Sequence, residues 1–391
     1  MRRRHTKAEG ERAHIDRPVT APGWAIAGRN AAKLDEVARA TGADVERIVV
    51  DAADQAGLLS LAESTRAVVS TVGPYARYGS PLVAAVVASG TDYCDLTGEP
   101  QWMRRMIDAH ATEAEASGAR AVHACGFDSI PSDLGAWFTQ QRAIEALGAP
   151  CTRIDMRVES MKGGASGGTI ASMLDLLEEA AADPQLRRDL ADPYLLAPPD
   201  HRTGPSQPDL THPTRDERTG EWLAPFVMAG VNSRVVQRSH ALLGRPWGPD
   251  FRYREAMAMG SGPLGAAKAS GLSAGVVTMM GLGALGPTRN LLARVLPKPG
   301  EGPSPTAQER GSFDIRFTGT TAEGAVIETQ VTGDRDPGYG STAKMLGEAA
   351  VAFADVPRDE VPGGFWTPAT AFGDRLVERL EAHAGLRFTV R

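Results

Sequence analysis

The sequence is short of cysteine, of net basic charge and of long apolar runs, and each shortage excludes a class of protein. Its three cysteines, Cys94, Cys125 and Cys151, are widely spaced, odd in number and form no CxxC pair. That argues against a disulfide scaffold and a zinc knuckle and fits a reducing cytoplasm. The eight histidines show no ligand spacing, so no metal is expected. The net charge of −6 leaves no positive field to hold nucleic acid. No apolar run reaches the ~20 residues that a membrane-spanning helix needs. What remains is 391 residues of ordinary globular composition, room enough for two domains and a sizeable core.

A second absence lies at the start. Residues 1–22 carry Arg2, Arg3, Arg4, Lys7, Arg12 and Arg17 but almost no large apolar side chain. A signal peptide would need an apolar core after that basic opening. The composition reads as a disordered tail, with Glu9, Glu11 and Asp16 diluting any role as a nucleic-acid or membrane arm. From residue 23 onward, short apolar runs alternate with helical patterns, as a parallel nucleotide-binding sheet requires. Trp24–Ala27, Ile48–Val50, Ala67–Val72 and Ala121–Ala124 read as buried strands. Ala31–Thr41, Pro81–Ala88 and Met103–Ala116 read as helices. The strand, glycine-rich turn and helix that normally open such a sheet are missing from the pattern.

Beyond Arg153 the texture changes to polar–apolar alternation, the mark of half-exposed strands. Arg153–Ser160, Val231–Arg238, Gly311–Thr318 and Ala325–Thr332 fit it, with helices expected at Gly168–Ala182, Thr342–Ala354 and Thr370–Ala384. Three divisions follow after the tail: a dinucleotide domain over 23–148, a mixed-sheet α/β domain over 149–361 for substrate or dimerisation, and 362–391 packing back on the first. Asp183–Pro225 reads as a long loop, either a flexible surface segment or a lid. Gly260–Gly286, rich in glycine, alanine and methionine, reads as a buried helix pair, with an interfacial helix touching lipid as the alternative. It holds two GxGxxG matches. Gly260–Gly265 has no strand expected before it and carries Pro263; Gly281–Gly286 lacks a surrounding βαβ unit.

Candidate site residues gather at strand ends, where sheets of this class bind ligands. The first strand runs into A-G-R-N and Lys33. An acid in this place suits the ribose of NAD and an arginine the 2′-phosphate of NADP, so Arg29 and Lys33 point to NADPH. A solvent-facing arginine at a helix start is the alternative. Asp51 ends the next strand, beside the adenine or as a helix cap. Ser70-Thr71-Val72-Gly73-Pro74-Tyr75 ends another, with Gly73 and Pro74 admitting the cofactor and Tyr75 and Tyr78 over its nicotinamide side. An ordinary turn fits the same residues. Thr91–Glu99 concentrates three carboxylates and a phenol, suited to proton transfer or to an Asx-type turn. Cys125-Gly126-Phe127-Asp128-Ser129 closes the half-fold. There Gly126 and Phe127 would face the cofactor, while Asp128 and Ser129 would orient substrate or the cofactor amide.

Taken in order, these runs resemble the saccharopine dehydrogenase-like oxidoreductases, most closely their enoyl-reductase subgroup. The matching residues include S-T-V-G-P-Y, T-D-Y-C-D-L-T-G-E, H-A-C-G-F-D-S-I-P-S-D, G-G-A-S-G-G-T (Gly163–Thr169), A-P-F-V-M-A (Ala224–Ala229), P-D-F-R-Y-R-E (Pro249–Glu255) and G-D-R-D-P-G-Y (Gly333–Tyr339). The resemblance implies a Rossmann-type doubly wound parallel sheet plus a mixed α/β domain. It also implies NADPH and reduction, in trans, of a carrier-bound or small-molecule acyl intermediate. Family members open with a strand into G-A-T-G-F-x-G; residues 1–22 contain neither. A misassigned start and a cofactor-dead protein that binds a partner or lipid surface both account for that. An imine reductase of saccharopine type is a further alternative, kept open by Arg234, Arg238, Arg252 and Arg254. A homodimer and peripheral lipid contact complete the expectations.

Overall fold

The computed structural model describes residues 23–164, 166–298 and 300–391. The basic tail expected over 1–22 lies outside them. Thirteen strands appear among the described residues: β1 Ala25–Gly28, β2 Glu46–Val49, β3 Ala67–Ser70, β4 Asp92–Asp95, β5 Arg120–Val122, β6 Cys151–Lys162, β7 Thr214–Arg215, β8 Trp222–Ala224, β9 Arg252–Ala258, β10 Ser312–Thr321, β11 Val326–Gly333, β12 Gly364–Trp366 and β13 Leu386–Val390. The chain divides into two compact units, one ending at Val50 and the other spanning Asp51–Arg391.

The first unit is a single βαβ turn. β1 and β2 run parallel with Ala25 opposite Glu46. Helix Ala31–Thr41 connects them because its ends are well made. The Asn30 side chain accepts the Lys33 N–H, and Gly42 closes the C-terminus in the left-handed region that glycine tolerates. Leu34 and Ala38, four residues apart, form its buried stripe.

The second unit holds two sheets. Four parallel strands lie in the order β12-β5-β4-β3, with Val68 beside Tyr93 and Phe365 beside Ala121. Seven more form a mixed sheet, β13-β11-β10-β6-β9-β8-β7, in which β6 and β9 are parallel and the other pairings antiparallel. Helix Ile130–Leu147 leads from one sheet to the other and packs Ile130 and Leu134 into a core with Ile154, Met156, Phe313, Phe317 and Val331. Gly135 is bare because a β-carbon there would strike the Phe317 ring.

Five expectations are corrected. Val231–Arg238 is not a strand but the middle of helix Ala229–Leu242. That helix is buried on nearly every face, so its polar residues bond inward and imitate alternation. Asp183–Pro225 is not a free loop. It contains helix Pro184–Ala191 and strands β7 and β8, and arginines bind its carbonyls: Arg238 to Leu196 at 2.5 Å, Arg234 to Leu190 at 2.8 Å and Arg245 to His201 at 2.7 Å. The glycine-rich stretch forms helices Gly262–Ala284 and Gly286–Val295, which are largely exposed rather than buried. Gly260–Gly265 does follow a strand, β9, whose charged residues mask it. Gly260 and Gly262 take positive φ, and a β-carbon on Gly265 would strike the Gly260 carbonyl. Of the strands read as buried, Ala121–Ala124 is buried throughout, while Trp24, Val49 and Val69 on the other three are exposed.

Candidate active site

The acids that cluster in Thr91–Glu99 are all engaged. Asp92 receives Arg120, Nε to Oδ1 at 2.9 Å and Nη2 to Oδ2 at 2.6 Å, with both partners buried. Asp95 ends β4 fully buried. It accepts the Thr97 and Ala124 N–H groups at 3.1 and 3.0 Å and lies 2.7 Å from His123 Nδ1 on the neighbouring segment. Glu99 accepts the backbone N–H groups of Tyr75 and Ala76, each at 2.8 Å, and the Ser172 hydroxyl at 2.6 Å. Burial raises its carboxyl, while those hydrogen bonds pull it back. Asp95 and Glu99 thus fix the turns at the sheet's carboxyl edge, while Asp92 joins β4 to β5 at the opposite end.

The turn after β3 is held in the same way. The Tyr75 hydroxyl donates to the Ser70 carbonyl at 2.8 Å, and its ring lies 5.3 Å from that of Trp102. Burial, then the nearby Asp95 charge, drive the Tyr75 phenol well above its ordinary range, so it stays protonated. Tyr78 is exposed, as are Thr71 and Val72, while Pro74 is buried. Gly73 is not sterically forced: a β-carbon would sit 3.5 Å from the Tyr75 ring, ordinary contact.

The loop after β5 separates its residues into two roles. Gly126 is bare because a β-carbon would come within 2.9 Å of the Thr342 methyl. The Phe127 N–H donates to Thr342 Oγ1 at 3.0 Å, and its ring meets Phe313 edge-on. Ser129 is buried and donates to Asn232 Oδ1 at 3.1 Å. Asp128 differs. It is half-buried, in a notch between Gly98 and Gly126, where a β-carbon on either glycine would lie 3.3 Å from its carboxyl oxygens. Among the described residues only its own backbone N–H bonds to it. Burial pushes its pKa up to about 7, with the Asp95 charge adding to the rise. A carboxyl of that kind exchanges protons near neutrality.

In the first unit Arg29 and Lys33 are exposed, on the turn and helix that follow β1. Asp51 accepts the Ala53 N–H at 2.9 Å in an Asx turn; the helix cap belongs to Asp54. Two further acids escape sequence reasoning. Asp133 accepts the Ser239 hydroxyl at 2.5 Å and the Ala369 N–H at 2.8 Å, and burial raises it to about 7. Glu255 accepts the Tyr253 hydroxyl at 2.7 Å and Asn232 Nδ2 at 2.9 Å, and burial likewise raises it to about 7. Ser129, Asn232 and Glu255 thus form a buried chain from the Asp128 loop to β9. Both end runs that carry the family resemblance, but Asp133 reads as a helix-start acid and Glu255 as a half-exposed strand residue, so neither stands out as a site residue.

No family model matches the chain. A Mycobacterium tuberculosis protein whose name places it provisionally among the trans-acting enoyl reductases is 46% identical over 377 residues, covering 92% of this chain and 88% of the relative. Trans-acting enoyl reductases of Mycobacterium bovis and Mycobacterium ulcerans are each 39% identical, covering 94% of this chain and 91% of theirs. Among solved structures, apo saccharopine dehydrogenase of Saccharomyces cerevisiae aligns over 94% of each chain at 12% identity with a TM-score of 0.47. On the identities and coverage of the mycobacterial relatives, this chain belongs to the trans-acting enoyl reductases, a family of oxidoreductases.

Proposed function

We propose that the protein reduces the carbon–carbon double bond of an α,β-unsaturated acyl thioester carried by another molecule, and that Asp128 delivers the proton to the α-carbon. The observation that carries this reading is the Asp128 carboxyl, which among the described residues has no side-chain partner, is pushed up to about 7 by burial and is partly exposed at the carboxyl edge of the parallel sheet. The other acids described at that edge, Asp95 and Glu99, are committed to backbone, hydroxyl and histidine partners. Tyr78 is the exposed phenol available to the thioester oxygen, since the Tyr75 hydroxyl is already donated.

A nicotinamide cofactor goes with the family, and when bound it supplies hydride to the β-carbon. The described residues fit it only in part. On the second unit the strand-end residues Thr71 and Val72 are open. The first unit, taken by itself, carries Arg29 and Lys33 as exposed cations, the residue type that favours NADPH over NADH. The glycine-rich loop that would receive a pyrophosphate after a first strand is not among the described residues. The buried free thiols of Cys94, Cys125 and Cys151 suit the cytoplasm, where we place the reaction. The imine-reductase alternative loses two of its four arginines: Arg234 and Arg238 are buried and spent on Asp209 and on backbone carbonyls.

The test is Asp128→Asn, assayed with an enoyl thioester and NADPH. An acid must hold its proton, so wild-type kcat should fall as pH rises through about 7. The variant should lose on the order of 10²- to 10⁴-fold in kcat, together with that limb of the profile. A variant that keeps both rate and profile removes Asp128 from the reaction. Failure of the wild-type chain to bind NADPH or NADH in a fluorescence titration removes the reductase reading altogether and favours a cofactor-dead partner-binding protein.

A further inference from the structure

We infer that the bent pair of helices Gly262–Ala284 and Gly286–Val295 is a docking face for an anionic lipid surface. A helix that is apolar all round belongs in a core or against lipid. Gly262–Ala284 carries a single charged residue, Lys268, in a largely apolar sequence, yet only Gly265, Ala269, Ser273 and Gly283 are buried. Those small residues face the protein, where the helix packs on β8 and on helix Gly167–Ala182. Its large side chains point the other way. Leu264, Val277, Met280, Leu285, Leu291 and Val295 are between 53% and 75% exposed, far more than isolated surface apolars need.

Charge selects the occupant. Between Glu255 and Glu301 there is no acidic residue, while Lys268, Arg289, Arg294 and Lys298 are all cationic. The acids on the neighbouring helix are paired: Asp175 with Arg77, Glu179 with Arg105, and Glu178 with Arg289. Lys268 and Arg294 lie exposed within the two helices, and Lys298 is exposed just beyond them, where Glu301 accepts its backbone N–H at 2.9 Å. A second copy would fit poorly, because a two-fold contact sets the same patch on both partners and so brings cations against cations. An anionic bilayer meets both the apolar area and the charge. The helices meet at 113°, and one face is held by the protein, so the pair lies along a surface instead of crossing it.

The experiment is flotation of the full chain with phosphatidylcholine vesicles, with and without phosphatidylglycerol. Binding is expected with phosphatidylglycerol only, weakening as salt rises. The double change Arg294→Gln with Lys298→Gln should weaken partitioning roughly 20- to 30-fold. Leu291→Ser with Val295→Ser should cost roughly tenfold or more. Urea denaturation of both variants should match wild type, since all four side chains are exposed or nearly so. Equal binding to both vesicles, or to neither, overturns the inference. So does a concentration-dependent oligomer in light scattering that the Leu291→Ser, Val295→Ser variant abolishes, since a second copy would then be the occupant.

Discussion

Arg120 and Asp92 illustrate what single residues do in this protein. Both are almost wholly buried, their double hydrogen bond joins β5 to β4, and Arg120 also reaches the carbonyls of Val356 and Phe353 at 2.7 and 3.0 Å. Removing one partner of a buried pair strands the other without compensation. Asp92→Asn should therefore lower unfolding free energy by about 3–5 kcal/mol, read from urea denaturation. Glu99 makes a comparable case on the backbone. Glu99→Gln replaces one acceptor oxygen with a donor facing N–H or hydroxyl groups, so the turn Gly73–Tyr75 should loosen, seen as faster amide exchange at Tyr75 and Ala76. At this scale the sequence shows which acids stand close together. It does not show that Asp92, Asp95 and Glu99 are consumed by partners distant in the chain, Arg120, Ala124 and Ser172 among them. Asp128 was readable as a strand-end acid; its isolation in the notch between two glycines required the fold.

Helix Ile130–Leu147 is the element on which the second unit turns, and it is held by buried acids as well as by its apolar face. Asp133 lies on that helix and meets Ser239 and the N–H of Ala369. Glu255 on β9 meets Tyr253 and Asn232. Both carboxyls rise to about 7 in the folded state, from ordinary values of 3.8 and 4.5. The folded protein then retains protons that the unfolded chain releases. Their contribution to stability is full below about pH 4, declines as pH rises between 4 and 7, and is gone above 7. Asp133→Asn should flatten this decline, measured as the difference between wild-type and variant unfolding free energies across that range. Helices and strands with one wet face, such as Ala31–Thr41 and β10, are legible from periodicity alone. Helix Ala229–Leu242 is not, because burial on all sides erases the stripe that period-counting looks for.

At the level of the whole molecule, composition and the order of apolar runs point to a parallel sheet and a mixed sheet, and both are present. Which strands close each sheet was not legible, because β12 and β13 are short and their partners lie far back in the chain. β12 sets Phe365 beside Ala121 in one sheet, while β13 sets Phe388 beside Val331 in the other. That arrangement bears on the timing of assembly. While the chain is being synthesised, β5 and β11 wait with open hydrogen-bonding edges until the final segment arrives. Pairing across such sequence distance is slow, and an open edge recruits other chains. A chain cut after Pro362 should aggregate where the full chain refolds, and refolding of the full chain should proceed over milliseconds to seconds in stopped flow, with the two sheets completed last and together.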